Sequence, residues 1–115
     1  MVNTASKKQI QRFYESELGN IDTLTGTGAP VTALDINCIA FNYASIGVAA
    51  TTKDATLDID ASVDGVNFDV VILHAHTVTA GTRHTELITN VGYRIIRVTL
   101  DQNALGSSDV FYNLK

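Results

Sequence analysis

The stretch Asp60-Ala61-Ser62-Val63-Asp64-Gly65, DASVDG, supports two incompatible readings. Counted from Asp60 as the calcium loop of a helix–loop–helix motif, it puts Asp60, Ser62 and Asp64 at the first, third and fifth ligand positions. Gly65 takes the sharp turn at the sixth. The count then fails. The eighth position should be apolar and is Asn67, and the twelfth should be a bidentate Glu and is Val71. Counted instead as a turn, Asp64-Gly65 is a favoured pair for a two-residue primed hairpin. Val63 then faces Val66, Ala61 faces Phe68, Ile59 faces Val70 and Leu57 faces Ile72, so one face is wholly apolar. The other pairs Ser62 with Asn67, Asp60 with Asp69 and Asp58 with Val71. A one-residue slip would turn the apolar set to water, so the pattern specifies a hairpin with one buried face. Asp58, Asp60 and Asp69 are left together on the outer face. Opposed like charges there cost about 0.2–1 kcal/mol unless something compensates. An Arg or Lys from a neighbouring strand or a partner subunit is the expected remedy, and a bound cation the alternative.

Most of the chain keeps the same two-residue period. Strands are expected over roughly 21–25, 31–43, 46–51, 55–63, 66–76, 83–90, 93–101 and 109–114. TGTGAP, residues 25–30, is a turn, because a phosphate-cradling loop would be followed by a Lys and a helix. Short strands with turns between them, and no internal repeat, indicate an antiparallel sandwich or jelly roll rather than βαβ units. The first segment differs. In SKKQIQRFYESELGN the apolar residues Ile10, Phe13, Tyr14 and Leu18 fall on one helical stripe, Ser6 and Gln9 form a capping box, and Gly19 sits where a helix stops. The spacing predicts a helix over 6–18. The expected layout is therefore a helical arm over 1–19 and a sandwich over 20–115. The stripe packs either on its own domain or on a neighbouring subunit, since an arm ahead of an all-β body is easily exchanged.

The chain has 115 residues, enough for one domain with a real core and too few for two. Apolar residues make up 45% and charged residues 17%, which is globular rather than disordered. A net charge of −4 with dispersed Lys and Arg argues against nucleic acid as the partner. No apolar run approaches the roughly 18 residues that span a bilayer, so no membrane partner is expected. The start, MVNTASKKQIQ, lacks the apolar centre of a signal peptide, which predicts synthesis in the cytoplasm.

Candidate chemistry is sparse. Cys38, the sole cysteine, lies among Ile36, Ile39, Ala40 and Phe41 and reads as a buried small hydrophobe. His74 and His76 project to one face of a strand, and His84 follows on the next strand after the Ala80-Gly81 turn. If His76 pairs with His84, Glu86 faces His74 and the set has enough ligands for zinc. With a two-residue Ala-Gly loop, His84 faces Thr77 and lies on the opposite face. The loop favours the second arrangement, and no metal or cofactor is expected. There is no Gly-x-Ser-x-Gly elbow, no His-Glu-x-x-His and no Cys–His arrangement, so no catalysis is expected either.

Two stretches carry a family likeness. ATLDIDASVDGVNFDVVIL, residues 55–73, resembles the strand, Ser-x-Asp-Gly turn and aromatic-bearing strand of discoidin-like jelly rolls. ITNVGYRIIRVTLD, residues 88–101, resembles their later strand with its Tyr-Arg-x-x-Arg-Val run. The same hairpin is similar to that of small β-sandwich structural proteins of tailed bacteriophages. The resemblance implies an all-β jelly roll acting as a virion component of head, neck or tail. It would work by oligomeric assembly with copies of itself and neighbouring virion proteins. The residues expected at such interfaces are Ile10, Phe13, Tyr14, Leu18, Asp58, Asp60 and Asp69. Carbohydrate is the alternative partner. Sugar-binding members of the first family use exposed loop aromatics, whereas this chain has no Trp and its Tyr and Phe mostly fall within expected strands.

Overall fold

The computed structural model describes residues 17–49, 51–89 and 91–115. Eight strands account for most of them: β1 (Glu17–Thr25), β2 (Pro30–Asn37), β3 (Ala44–Ala49), β4 (Ala55–Ser62), β5 (Val70–Val78), β6 (His84–Ile88), β7 (Ile95–Gln102) and β8 (Ser107–Leu114). The connection between β4 and β5 is the apex of the whole chain. From it the two arms run back antiparallel, pairing β4 with β5, β3 with β6, β2 with β7 and β1 with β8. The loops opposite one another across this ribbon match in length: 50–54 with 79–83, 38–43 with 89–94, and 26–29 with 103–106. Matched loops let both arms fold over at the same heights, so the ribbon wraps as a unit. Wrapping brings β8 beside β3 and β7 beside β4. The result is two four-stranded sheets, β1-β8-β3-β6 and β2-β7-β4-β5, in jelly-roll order.

Alternation along the strands fills the space between the sheets. In β4, Ala55, Leu57, Ile59 and Ala61 are buried while Thr56, Asp58 and Asp60 are only partly covered. In β7, Ile96, Val98 and Leu100 point inward between Ile95, Arg97 and Thr99. With Ile46 and Val48 of β3 and Val110 and Leu114 of β8 they form one core that also takes in Cys38 and Phe41. Each such aliphatic side chain contributes about 1.5–3 kcal/mol by leaving water, so the core is the main source of stability.

Three expectations change. Glu17 and Leu18, expected to end a helix, lie in β1 opposite Leu114 and Asn113. No helix occurs among the described residues, and Ile10, Phe13 and Tyr14 lie outside them. The second change is at DASVDG. The turn is not a two-residue one but spans 63–69, and Val63 and Val66 are exposed rather than facing each other across a core. Asp64 dictates this wider loop. Its Oδ1 accepts from the Val66 and Asn67 amides and from Ser62 Oγ, and its Oδ2 accepts from Asn67 Nδ2, all at 2.8–2.9 Å. Four donors on one carboxylate outcompete the tight turn, and Gly65 supplies a φ of 85°.

The third change follows from register. Ala61 pairs with Val70, Ile59 with Leu73 and Leu57 with His76, because β5 carries two extra residues in bulges. One bulge places both His74 and Ala75 opposite Asp58. Ala75 there adopts φ 49° and donates its amide to Asp58 Oδ1 at 2.8 Å. The bulge reverses the face of everything beyond it, which decides where the histidines point.

Candidate functional site

The acidic face is organised by an arginine. Asp35 of β2, Arg97 of β7, Asp60 of β4 and Val71 of β5 stand in one row across the outer face of their sheet. Arg97 donates through Nε and an Nη to both Asp35 carboxylate oxygens at 2.8 and 3.1 Å, and its guanidinium lies 3.9 Å over the Phe68 ring. Hydrogen bonding to Asp35 holds the Arg97 pKa above its usual value. The Asp60 pKa is pushed up, first by burial and then by the neighbouring Asp58. His74 and Arg97 oppose that rise. The compensating cation is thus supplied by the chain itself, on the next strand. Asp69 does not join the pair: it sits in the loop before β5, and the β5 residue opposite Asp60 is Val71.

The bulge divides the histidines. His74 projects to the outer face, with Nδ1 3.3 Å from Asp58 Oδ1. His76 turns the other way, and its ring lies 4.1 Å from that of His84. His84 Nε2 is 2.9 Å from Glu86 Oε1. So His76, His84 and Glu86 meet where the edge strands β5 and β6 of the two sheets approach, rather than His74 and His76 acting as a pair. Among the described residues no group of three or more His, Cys, Asp or Glu is arranged to hold a metal ion.

The most distinctive surface was not foreseen. The loops 38–43, 63–69 and 89–94 lie at one end of the sandwich together with Lys115. Cys38 N donates to Arg94 O, Arg94 N to Ser62 O, Val91 N to Asn42 O, and Tyr43 N to Lys115 O. At this end stand six of the seven large apolar side chains exposed among the described residues: Ile39, Tyr43, Val63, Val66, Val71 and Leu87. Leu105 alone is elsewhere. Leu87 is 71% exposed and flanks a groove of about 200 Å³ that also involves Tyr43, Ser45, Ile88, Asn113 and Lys115. Asn113 Oδ1, buried in its wall, has no hydrogen-bond partner among the described residues. Alternation alone did not reveal this end, because Val63 and Val66 read as core pairs in the tighter turn and Leu87 reads as an ordinary strand residue. Cys38 is buried, its thiol 3.4 Å from the Ile36 carbonyl.

No family model and no curated protein matches this sequence. Solved structures do match in fold. A chain from Bacillus endospore appendages, described as a novel family of disulfide-linked pili, aligns with a TM-score of 0.59 and 16% identity over 88% of this chain and 87% of that one. An SPBc2 prophage-derived protein, YomS, aligns with a TM-score of 0.59 and 4% identity over 90% of this chain and 97% of that one. Both are similar to this chain in fold alone.

Proposed function

We propose that this chain is a structural subunit of a virion or a similar particle, built into a head, neck or tail structure by packing against copies of itself and neighbouring virion proteins. It works by surface burial, without catalysis or cofactor. The observation that carries the reading is the gathering of exposed apolar side chains at one end. The core is complete without Ile39, Tyr43, Val63, Val66, Val71 and Leu87, so their exposure is not a by-product of too little interior. Exposed apolar side chains gathered at one end of a small domain support an interaction site there, with Val71 and Leu87 on the outer faces of the two different sheets. The fold likeness supports the reading by precedent, since one matching structure belongs to a pilus and another to a prophage product. The crosslink that the pilus description names has no ready counterpart here: Cys38 is sealed in the core. Non-covalent contact would hold the copies together.

Of the interface residues expected from sequence, Ile10, Phe13 and Tyr14 stay in the proposal as the arm, while Leu18 belongs to β1. Asp58, Asp60 and Asp69 stay as a charged flank, although Arg97 already offsets Asp60. The test is mass by light scattering over a wide concentration range. Oligomers that grow with concentration are expected, and Val63→Asp with Val66→Asp, both exposed, should weaken them. A strict monomer at the highest concentration would sink the proposal.

A further inference from the structure

Among the described residues the sandwich has four edge strands, β1 and β6 in one sheet and β2 and β5 in the other. Three are blunted against further pairing by devices common to natural sheet edges. β1 shifts register between Ile21 and Leu24, β2 opens at Pro30 and shifts between Thr32 and Leu34, and β5 carries its two bulges. Of the four, β6 alone pairs without interruption, from His84 to Ile88. Which of its backbone groups face outward follows from the ladder. Tyr43 and Lys115 exchange both backbone hydrogen bonds at 2.9 Å. Such pairs alternate along an antiparallel strand, so Ala44, Ile46 and Val48 turn their amides and carbonyls to β6 and bond Ile88, Glu86 and His84. Thr85 and Leu87 therefore aim theirs out of the sheet.

Glu86 decides which strand fits that edge. Its side chain shares the inward face with the buried Ile88, and an inward carboxylate on an edge strand repels most strands that approach. It admits one that brings a hydrogen-bond donor opposite it, and the chain's own β6 does so. Only odd-numbered residues offer backbone groups, so a second β6 must pair odd with odd. Centred on Thr85, that pairing sets His84 against the partner's Glu86 and Glu86 against the partner's His84. Centred on His84, Glu86 or Leu87, it would oppose His84 with itself, Glu86 with itself, or Glu86 with Ile88.

We propose that two copies of this chain join β6 to β6, antiparallel about a twofold axis at Thr85, a lateral contact that rests on the assembly reading above. Each Glu86 then lies between two histidines, its own at 2.9 Å and the partner's His84. The two Thr85 side chains meet on the outer face, a favourable cross-strand pair. Leu87, 71% exposed, comes opposite the partner's Arg83, whose methylene stem covers it. The two β1-β8-β3-β6 sheets merge into one of eight strands. Val63 and Val66, at the apex end, stay outside the contact.

Full-length variants test this in two ways. Residues paired by hydrogen bonds across antiparallel strands stand about 5.5 Å apart at Cα, within disulfide range. Mild oxidation should therefore convert Thr85→Cys to a disulfide-linked dimer, with Cys38 buried and out of reach. Leu87→Cys, whose counterpart in the pairing is Arg83, should stay largely uncoupled. The second test exchanges charge and is read by analytical ultracentrifugation, with a thermal melt of each variant confirming the fold. His84→Glu opposes carboxylates twice per dimer, Glu86→Lys opposes donors twice, and each alone should self-associate roughly tenfold more weakly. Mixed in equal amounts, the two variants set the new carboxylate against the new ammonium and should form a 1:1 heterodimer of near wild-type strength. Equal crosslinking of the two cysteine variants, or wild-type association with no heterodimer in the mixture, overturns the β6 pairing and leaves the assembly reading standing. A strictly monomeric wild type overturns both.

Discussion

Gly47 on β3 faces outward, and the Phe111 ring of β8 lies directly over it. A Cβ built at Gly47 would meet Phe111 Cε2 at 2.2 Å, Cζ at 2.4 Å and Cδ2 at 2.9 Å. Carbon atoms rest at about 3.5 Å or more, so Gly47→Ala requires the ring to retreat by roughly 1.3 Å. That forfeits most of the ring's contact with the sheet and loosens the Arg83 guanidinium, 5.7 Å from the ring centroid. Overpacking of this kind costs about 1–3 kcal/mol. Removing a glycine from a strand returns about 0.5–1 kcal/mol, because the unfolded chain has less freedom to lose. The net expectation is a loss of about 1–2 kcal/mol, seen as a melting point lower by roughly 4–10 °C. The decisive measurement is the double-mutant cycle with Phe111→Ala, by urea titration at a concentration where the protein is monomeric. Without the ring, the alanine has room and only the backbone benefit remains, so Gly47→Ala should become neutral or stabilising by about 0.5 kcal/mol. If Gly47→Ala costs as much with alanine at 111 as with phenylalanine, the ring is not what demands the glycine.

Asp60→Asn should be neutral or stabilising by a few tenths to about 1 kcal/mol at pH 7, the size of an opposed like-charge pair. The folded-state pKa of Asp60 is raised, so its contribution is favourable below the unfolded pKa near 3.9 and is lost as pH rises through the folded value. The gain from Asn should therefore fade by pH 3, and urea titrations at the two pH values check this. Arg97→Lys should cost about 0.5–1.5 kcal/mol despite retaining charge, because lysine reproduces neither the two-point contact with Asp35 nor the stack on Phe68. An unchanged melting point would show that both contacts are idle. Ala75→Val should cost about 1–3 kcal/mol, since a β-branched residue resists the φ of 49°, whereas Ala75→Asn should be tolerated. Equal melts for the two would deny the bulge. Asp64→Ala should make the 63–69 loop the first site of proteolytic nicking while the core melt changes little. Protection equal to wild type would show that the loop does not depend on Asp64.

Strand number and order along the chain were legible because alternation is a local signal: all eight expected strands correspond to observed ones. The buried alternation of Leu57, Ile59 and Ala61 was likewise readable. The turn was not. Asp-Gly has a strong preference for a two-residue hairpin, but Ser62 and Asn67 on either side offer Asp64 more hydrogen bonds in the wider loop. Alternation also carries no trace of a bulge, so His74 and His76 read as sharing a face although Ala75 sends them apart. The expected separation of His84 from both assumed that β5 and β6 form a hairpin, whereas they belong to different sheets. The acidic face was half legible: the need for a cation was read from Asp60 opposite Asp69 with Asp58 nearby, of which only Asp58 and Asp60 come together, and Arg97 as the cation's source depends on β7 lying beside β4, a pairing of residues far apart in sequence. The matched loop lengths were present in the sequence as spacing, yet they acquire meaning only once the apex is located between β4 and β5.

The two ends of the sandwich differ in chemistry, and that difference gives the molecule a direction. At the end formed by 26–29, 50–54, 79–83 and 103–106, the polar side chains close on one another, and Leu105 is the one large apolar side chain exposed there among the described residues. Gln102 Nε2 donates to the Lys53 and Ser107 carbonyls, Ser108 Oγ donates to Gln102 Oε1, Ser107 N donates to Thr52 Oγ1, and Asp54 Oδ1 accepts from Ala80 N. Gly26 lets the backbone pass too close to the Gln102 and Asn103 carbonyls for any side chain, and Gly106 leaves room for the Gln102 side chain. Polar groups satisfied internally have little to offer a partner. The opposite end leaves valines, Tyr43 and Leu87 in water and the buried Asn113 Oδ1 without a partner among the described residues. Two like ends would favour end-to-end pairing about a twofold axis, which stops at two copies. Under the proposed assembly reading, two unlike ends would instead make contacts that are not self-complementary, and such contacts generate rings or filaments rather than twofold dimers.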